Sequence, residues 1–288
     1  PFWSTNVTRF NLHSNSFSGP TPLNIGELMP KLEELYLSEN HITGSIPSSI
    51  CSIQSLAALS LRSNKLSGEL PQCWNESNLW FLDVANNNLS GNIPSSMGFL
   101  SSLEALMLNN NNLDGEIPPS LQNCWSLRNI DMGGNRLSGN LPSWIGENYS
   151  TSYYTLSLRS NSFSGNIPPQ WCNLYDLHIL DLAYNNLSGV IPSCLGNLTA
   201  FVYGNTSDGH NRRYYQYLKQ ITVVSKGREL EYNKTLEFVY SIDLSGNSLI
   251  GKIPQEITNL GALGTLNVSM NHLTGSIPEK IGNLRWLE

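Results

Sequence analysis

Cysteine, arginine and aspartate are the side chains whose spacing here points to chemistry. Cys51 and Cys73 lie 22 residues apart, and Cys172 and Cys194 repeat that interval. Equal intervals at equal register suit two disulfides between adjacent coils of a repeating chain. Cys124 has no counterpart and reads as a buried thiol in place of a small apolar residue. The five histidines, His13, His41, His178, His210 and His272, are scattered. They show no H-x-x-x-H spacing and no paired cysteine for zinc. The sequence therefore offers no catalytic constellation, no metal site and no cofactor motif, and its chemistry is that of binding.

A repeat positions these residues. LYLSENHITGSIP at 35–47 recurs as LSLRSNKLSGELP at 59, LMLNNNNLDGEIP at 106, LSLRSNSFSGNIP at 156, LDLAYNNLSGVIP at 180, IDLSGNSLIGKIP at 242 and LNVSMNHLTGSIP at 266. Looser copies begin at 10, 82 and 130. One asparagine marks each of the ten units: Asn15, Asn40, Asn64, Asn87, Asn111, Asn135, Asn161, Asn185, Asn247 and Asn271. The first cysteine of each pair falls eleven residues after such an asparagine, and the second nine after the next. Intervals between these asparagines run from 23 to 26 residues except the eighth, which is 62 and holds an insertion of about 38 residues.

Within a unit, L-x-L alternates with the period of a strand. A strand this short buries its apolar side only by stacking on neighbours. The asparagine amide suits a ladder that satisfies the turn. The glycine permits a positive-φ bend and the proline fixes the exit. The residue inside L-x-L forms an outward column that includes Asp83, Asp131, Asp181 and Asp243. These aspartates read as structural acceptors or as a binding stripe. Arg62 and Arg159, two residues further along, are the ligand-contact candidates of this face. Trp74, Trp125, Trp144 and Trp171 follow the proline segment or open the return, where core or convex packing is expected.

The S/T-G-x-I/L-P segment after the asparagine resembles the plant-specific class of leucine-rich repeat. That class is found in plant receptor kinases, receptor-like proteins and polygalacturonase-inhibiting proteins. The resemblance covers nearly the whole chain. It implies an α/β repeat solenoid, a right-handed superhelix with a concave parallel β-sheet.

The insertion divides the chain into repeats at 1–199, an insertion at 200–238 and further repeats at 239–288. Within the insertion, YLKQITVV and RELEY read as two strands of a hairpin around Ser225, Lys226 and Gly227. It carries six basic and four acidic residues, a net +2 that leaves −8 for the repeats. Five of the twelve tyrosines fall in it, and tyrosine and arginine are enriched at interface hot spots. Arg212, Arg213, Tyr214, Tyr215, Tyr217, Lys226, Arg228, Glu229 and Tyr232 are therefore its ligand-binding candidates. Lys226-Gly227-Arg228-Glu229-Leu230-Glu231-Tyr232, followed by Ile242-Asp243-Leu244-Ser245, resembles the K-G-x-x-x-E-Y…I-D-L-S segment of receptor-like proteins. Their island domain interrupts the last repeats. The resemblance implies that the island and concave face capture a secreted microbial protein or peptide. It also implies that the island and final repeats bind a somatic-embryogenesis-type co-receptor kinase ectodomain, here through Ser245, Thr265, Asn267, Ser269 and Met270.

Nine N-x-S/T sequons occur, at Asn6, Asn75, Asn88, Asn148, Asn186, Asn197, Asn205, Asn233 and Asn267. They indicate a secreted glycoprotein, with Asn267 the least occupied because it sits on a strand. A net charge of −6 with 13% charged residues points away from nucleic acid. No apolar run reaches the length of about 18 residues needed for a membrane span. With no cap at either end, the chain reads as part of a longer ectodomain on the outer face of the plasma membrane, anchored by a segment outside it. The alternatives are a soluble polygalacturonase inhibitor, whose family lacks the insertion, and a peptide-hormone receptor.

Overall fold

The computed structural model describes residues 6–74, 77–147, 153–204, 221–225, 228–232 and 238–288. The chain is an α/β repeat solenoid and forms two compact units, 1–142 with 160–162 and 143–159 with 163–288. In the first unit the strands Arg9–Asn11, Glu34–Tyr36, Ala58–Ser60, Phe81–Asp83, Ala105–Met107 and Asn129–Asp131 pair in parallel, each with the next. Their middle residues are mutual partners, and Leu35, Leu59, Leu82 and Leu106 are fully buried. In the second unit Thr155–Ser157, Ile179–Asp181, Ser241–Asp243 and Thr265–Asn267 pair the same way. The sheet therefore steps from Asp181 to Asp243 without a rung in between. Part of the intervening chain forms an antiparallel pair, Ile221–Ser225 with Arg228–Tyr232, matching the hairpin read from the sequence. The first of these strands begins at Ile221. Tyr217 lies outside the described residues.

The repeated asparagine does more than turn the chain. Asn111 Nδ2 donates to Leu108 O and Asn109 O in its own turn and to Val84 O of the preceding unit. Its Oδ1 accepts the Leu89 N–H of that unit at 3.0 Å. Asn40, Asn64, Asn87, Asn185, Asn247 and Asn271 repeat this fourfold pattern. Each amide thus satisfies backbone groups that are largely withdrawn from water.

The residue before that asparagine is left-handed in all ten units. Its φ is 52–56° at Ser14, Glu39, Ser63, Asn86, Asn110, Ser160, Tyr184 and Met270, and 63° at Gly134 and Gly246. For a residue with a Cβ this conformation costs roughly 1–2 kcal/mol. The sequence pattern did not reveal this requirement, because only two glycines mark it. The expected positive φ of the later glycine is present throughout, as at Gly115 (+75°). A Cβ there would also lie 2.5 Å from Asn92 Oδ1 of the preceding unit.

A second row of short parallel strands follows the asparagines and was not anticipated. In the first unit it includes Lys65–Glu69, Asn88–Asn92 and Asn112–Gly115. The N-x-L-x-G stretch alternates apolar and polar residues as a strand does, so neighbouring copies pair. The returns are single turns of 3₁₀ helix such as Ser48–Ser52, Ser95–Phe99 and Pro119–Asn123, and they bury Ile50, Met97 and Leu121.

Both disulfides form between adjacent coils, with Cα atoms 5.8 Å apart for Cys51–Cys73 and 5.5 Å for Cys172–Cys194. Cys124 is a buried free thiol, and burial pushes it up to about 12. Trp74 and Trp171 are buried as expected, but Trp125 is exposed. Among the described residues no helix is long and apolar enough to cross a membrane.

Removing one rung of the asparagine ladder leaves four buried backbone groups with lost or weakened partners. Asn111→Ala should therefore cost about 2–4 kcal/mol in a denaturant titration. Asn112→Ala, at a half-buried neighbour that bonds the Asn88 and Arg136 side chains rather than backbone groups, should cost about 1 kcal/mol or less.

Candidate functional site

The second unit brings together the residues that flank the insertion. Strand register aligns Ser157, Asp181, Asp243 and Asn267 in one row. Arg159 reaches across two rungs. Its Nη1 lies 3.2 Å from Asp181 Oδ2 and 3.2 Å from Asp243 Oδ2. Asp243 Oδ2 also accepts from Asn267 Nδ2 at 3.2 Å. Asp243 Oδ1 accepts the Ser245 N–H and, at 2.6 Å, the Ser245 hydroxyl. Asn267 Oδ1 in turn accepts the Ser269 hydroxyl at 2.8 Å.

The guanidinium of Arg159 sits 5.0 Å from the centre of the Tyr184 ring. That ring lies across Gly246, where a Cβ would approach Tyr184 Cδ1 to 2.7 Å. Asp181 and Asp243 are buried, Arg159 is partly accessible, and Tyr184 and Met270 are exposed. The cluster is thus reached at its edge, past Tyr184, Ser269 and Met270.

Aromatic packing fixes the points where the chain leaves and rejoins the sheet. His178 stacks between Tyr154 and Tyr240 at centroid distances of 3.8 and 4.6 Å. Phe201, on the short helix Thr199–Tyr203, meets the Tyr240 ring edge-on at 5.8 Å. His178 Nδ1 is 2.7 Å from Asp176 O, a contact that favours the proton on that nitrogen. All four rings are buried.

The aspartate column acts as a set of backbone acceptors. The first carboxylate oxygen of Asp83, Asp131, Asp181 and Asp243 takes the N–H two residues on, at 3.0–3.1 Å. The arginines singled out from the sequence are both ion-paired. In the first unit Arg62 Nη1 lies 3.8 Å from Asp83 Oδ1, and its side chain is 10% accessible. Arg159 is joined through Asp243 to Ser245 and Asn267, so two sets of residues assigned separate roles share one carboxylate. Thr265 opens the strand that carries Asn267, and Met270 stands at the left-handed position of the same unit. Tyr184 was missed in the sequence, although its place before Asn185 is the same place that Met270 holds before Asn271. Arg212, Arg213, Tyr214, Tyr215, Tyr217 and Lys226 lie outside the described residues. Arg228, Glu229 and Tyr232 belong to the second hairpin strand.

Burial dominates the acid–base properties of the carboxyls. It pushes Asp181 up to about 6; Arg159 pulls back and Asp243 pushes further up. Burial likewise pushes Asp83 up to about 6 against the pull of Arg62. Arg159 is itself destabilised by burial, but Asp181 and Asp243 outweigh that and hold it above its usual value.

The repeats match the Leucine Rich Repeat family model at residues 31–53, 78–100, 102–124, 126–148, 154–174, 176–198, 239–260 and 262–284, more than half of the chain. The chain belongs to the leucine-rich repeat family. It is similar to Receptor-like protein EIX2 of Solanum lycopersicum, with 43% identity over 271 residues, 89% of this chain and 26% of that protein. The plant peptide hormone receptor RGFR1, solved in complex with RGF2, aligns over 96% of this chain and 42% of its own, with 31% identity and a TM-score of 0.71. The Arabidopsis receptor kinase HAESA, solved with the peptide hormone IDA and the co-receptor SERK1, aligns over 99% of this chain and 45% of its own, with 28% identity and a TM-score of 0.75. The chain thus spans about a quarter of EIX2 and under half of either solved ectodomain.

Carboxyls that bind protons more tightly in the folded than in the unfolded chain make stability rise as pH falls. From pH 7 to 5 the native chain protonates Asp83 and Asp181 near 6, while the unfolded chain does so only near 3.8. Each group should add about 1 kcal/mol of stability over that interval. Asp181→Asn should remove its share of the slope in melting curves recorded across the interval. An unchanged slope would show that Asp181 is not the group titrating.

Proposed function

We propose that the chain is a ligand-recognition part of a plant cell-surface immune receptor-like protein. It is a non-catalytic ectodomain on the outer face of the plasma membrane. The observation that carries this reading is the similarity to EIX2 over 89% of the chain. The insertion at 200–238 acts as an island. With Arg212, Arg213, Tyr214, Tyr215, Tyr217, Lys226, Arg228, Glu229 and Tyr232, it captures a secreted microbial protein or peptide, and Arg62 of the first unit and Arg159 of the second are further ligand-contact residues. Ser245, Thr265, Asn267, Ser269 and Met270 take part in recruiting a somatic-embryogenesis-type co-receptor ectodomain. A second reading, a peptide-hormone receptor, draws on the likeness to RGFR1 and HAESA, both solved with peptide hormones.

The test is retention of proteins from the secreted fluid of pathogen-challenged plant tissue, identified by mass spectrometry. The intact chain is compared with a form in which residues 204–233 are replaced by a short Gly/Ser link. A secreted microbial protein held only by the intact chain is expected. A ligand held equally by both would refute the island assignment, and an endogenous plant peptide would favour the hormone reading.

Glycosylation follows side-chain availability. Asn6, Asn88, Asn186 and Asn197 are exposed, whereas the Asn267 amide nitrogen is held by Asp243. Asn75, Asn148, Asn205 and Asn233 lie outside the described residues. Enzymatic deglycosylation in heavy-oxygen water should label Asn88, Asn186 and Asn197 and leave Asn267 unlabelled. Labelling of Asn267 at equal occupancy would contradict this assignment.

A further inference from the structure

We infer that Tyr184 and Met270 form a docking ridge for a polypeptide segment of a partner protein that places an apolar side chain beside a basic one. This inference rests on the receptor reading and deepens it by naming the residues and the chemistry of the contact.

The argument begins with the left-handed position before each register asparagine. In eight of the ten units it holds Ser14, Glu39, Ser63, Asn86, Asn110, Ser160 or the glycines 134 and 246. Small and polar residues suit that conformation, and a bulky one there is a backbone outlier. Tyr184 and Met270 are the two large apolar side chains in the column, with φ of 54° each. They are 45% and 69% exposed, so core packing does not account for them. Gly246 stands between them in the row and shows that the fold accepts a residue without a side chain there. Ladder hydrogen bonds from Tyr184 N to Ser245 O and from Asn247 N to Met270 O keep the three turns in register. Two rungs place the flanking residues roughly 10 Å apart along the strand face.

The missing side chain at Gly246 lets the Tyr184 ring lie over the backbone. Arg159 supports the ring at 5.0 Å and is itself held by two carboxylates. The cluster sets two carboxylates, Asp181 and Asp243, against one guanidinium, an excess of negative charge beneath the ridge. That charge and the π face of tyrosine both attract a cation. Tyrosine is an interface hot-spot residue, and methionine reshapes to fit a partner side chain. The partner segment therefore offers an apolar group to Met270 and Tyr184 and an Arg or Lys toward the carboxylate pair.

The experiment pans a phage-displayed library of random dodecapeptides against the chain and against the double variant Tyr184→Ser, Met270→Ser. Serine is native to this column at positions 14, 63 and 160, so the variant keeps a backbone conformation that the fold already accepts from it. Its melting temperature should stay within a few degrees of that of the parent chain, so that lost recovery does not report unfolding. The parent chain should enrich peptides with an apolar residue next to Arg or Lys, and their recovery should fall at least tenfold on the double variant. Tyr184→Phe should retain most of the recovery. Equal recovery on both chains, enrichment of peptides without a basic residue, or no enrichment over an unrelated repeat protein would each overturn the ridge. So would concentration-dependent self-association that the double variant abolishes, since the occupant would then be a second copy of this chain. A secreted ligand retained equally by the parent and the double variant would leave the receptor reading standing and remove only the ridge.

Discussion

The structure depends on a side-chain amide that behaves as a piece of backbone. A register asparagine such as Asn111 closes its own turn and takes one N–H and one C=O from the unit before it. No unit satisfies its turn alone, so each coil holds its neighbour to a fixed spacing and register. The left-handed residue before the asparagine follows from this. The amide can reach three carbonyls only if the chain reverses sharply there, and most residues in the column bear that strain for the sake of the ladder.

The same interaction explains how a long insertion is accommodated. Asn247 bonds Leu182 O and Leu187 N, 65 and 60 residues away in sequence, with the geometry seen between consecutive units. The chain can leave the sheet and return without loss of a rung, provided that its two attachment points are fixed. The Tyr154–His178–Tyr240 stack and Phe201 do this with buried rings, while Asp243 renews the polar row on the other face.

Charge on that face is governed by burial. An aspartate in the column accepts its own backbone and is then short of solvent. An arginine placed within reach is drawn to it. Arg62 and Arg159 are therefore spent on internal ion pairs, and the groups left at the edge of the second unit are aromatic, thioether and hydroxyl. The edge thus presents shape and hydrogen-bonding groups more than a free cation.

The sequence by itself determined the repeat, the strand alternation, both disulfides and the role of the asparagine. Each of these is local or strictly periodic, and periodicity converts sequence distance into spatial neighbourhood. Tertiary structure alone decided the second row of strands, which exists only because copies of N-x-L-x-G lie side by side. It also decided the left-handed column, because the φ of Tyr184 or Met270 is imposed by the neighbouring unit and leaves no mark in residue type. The pairing of Arg159 with Asp243 lay beyond the sequence for a similar reason. The partners are 84 residues apart, and they meet because the sheet closes over an insertion whose length carries no information about what it brings together.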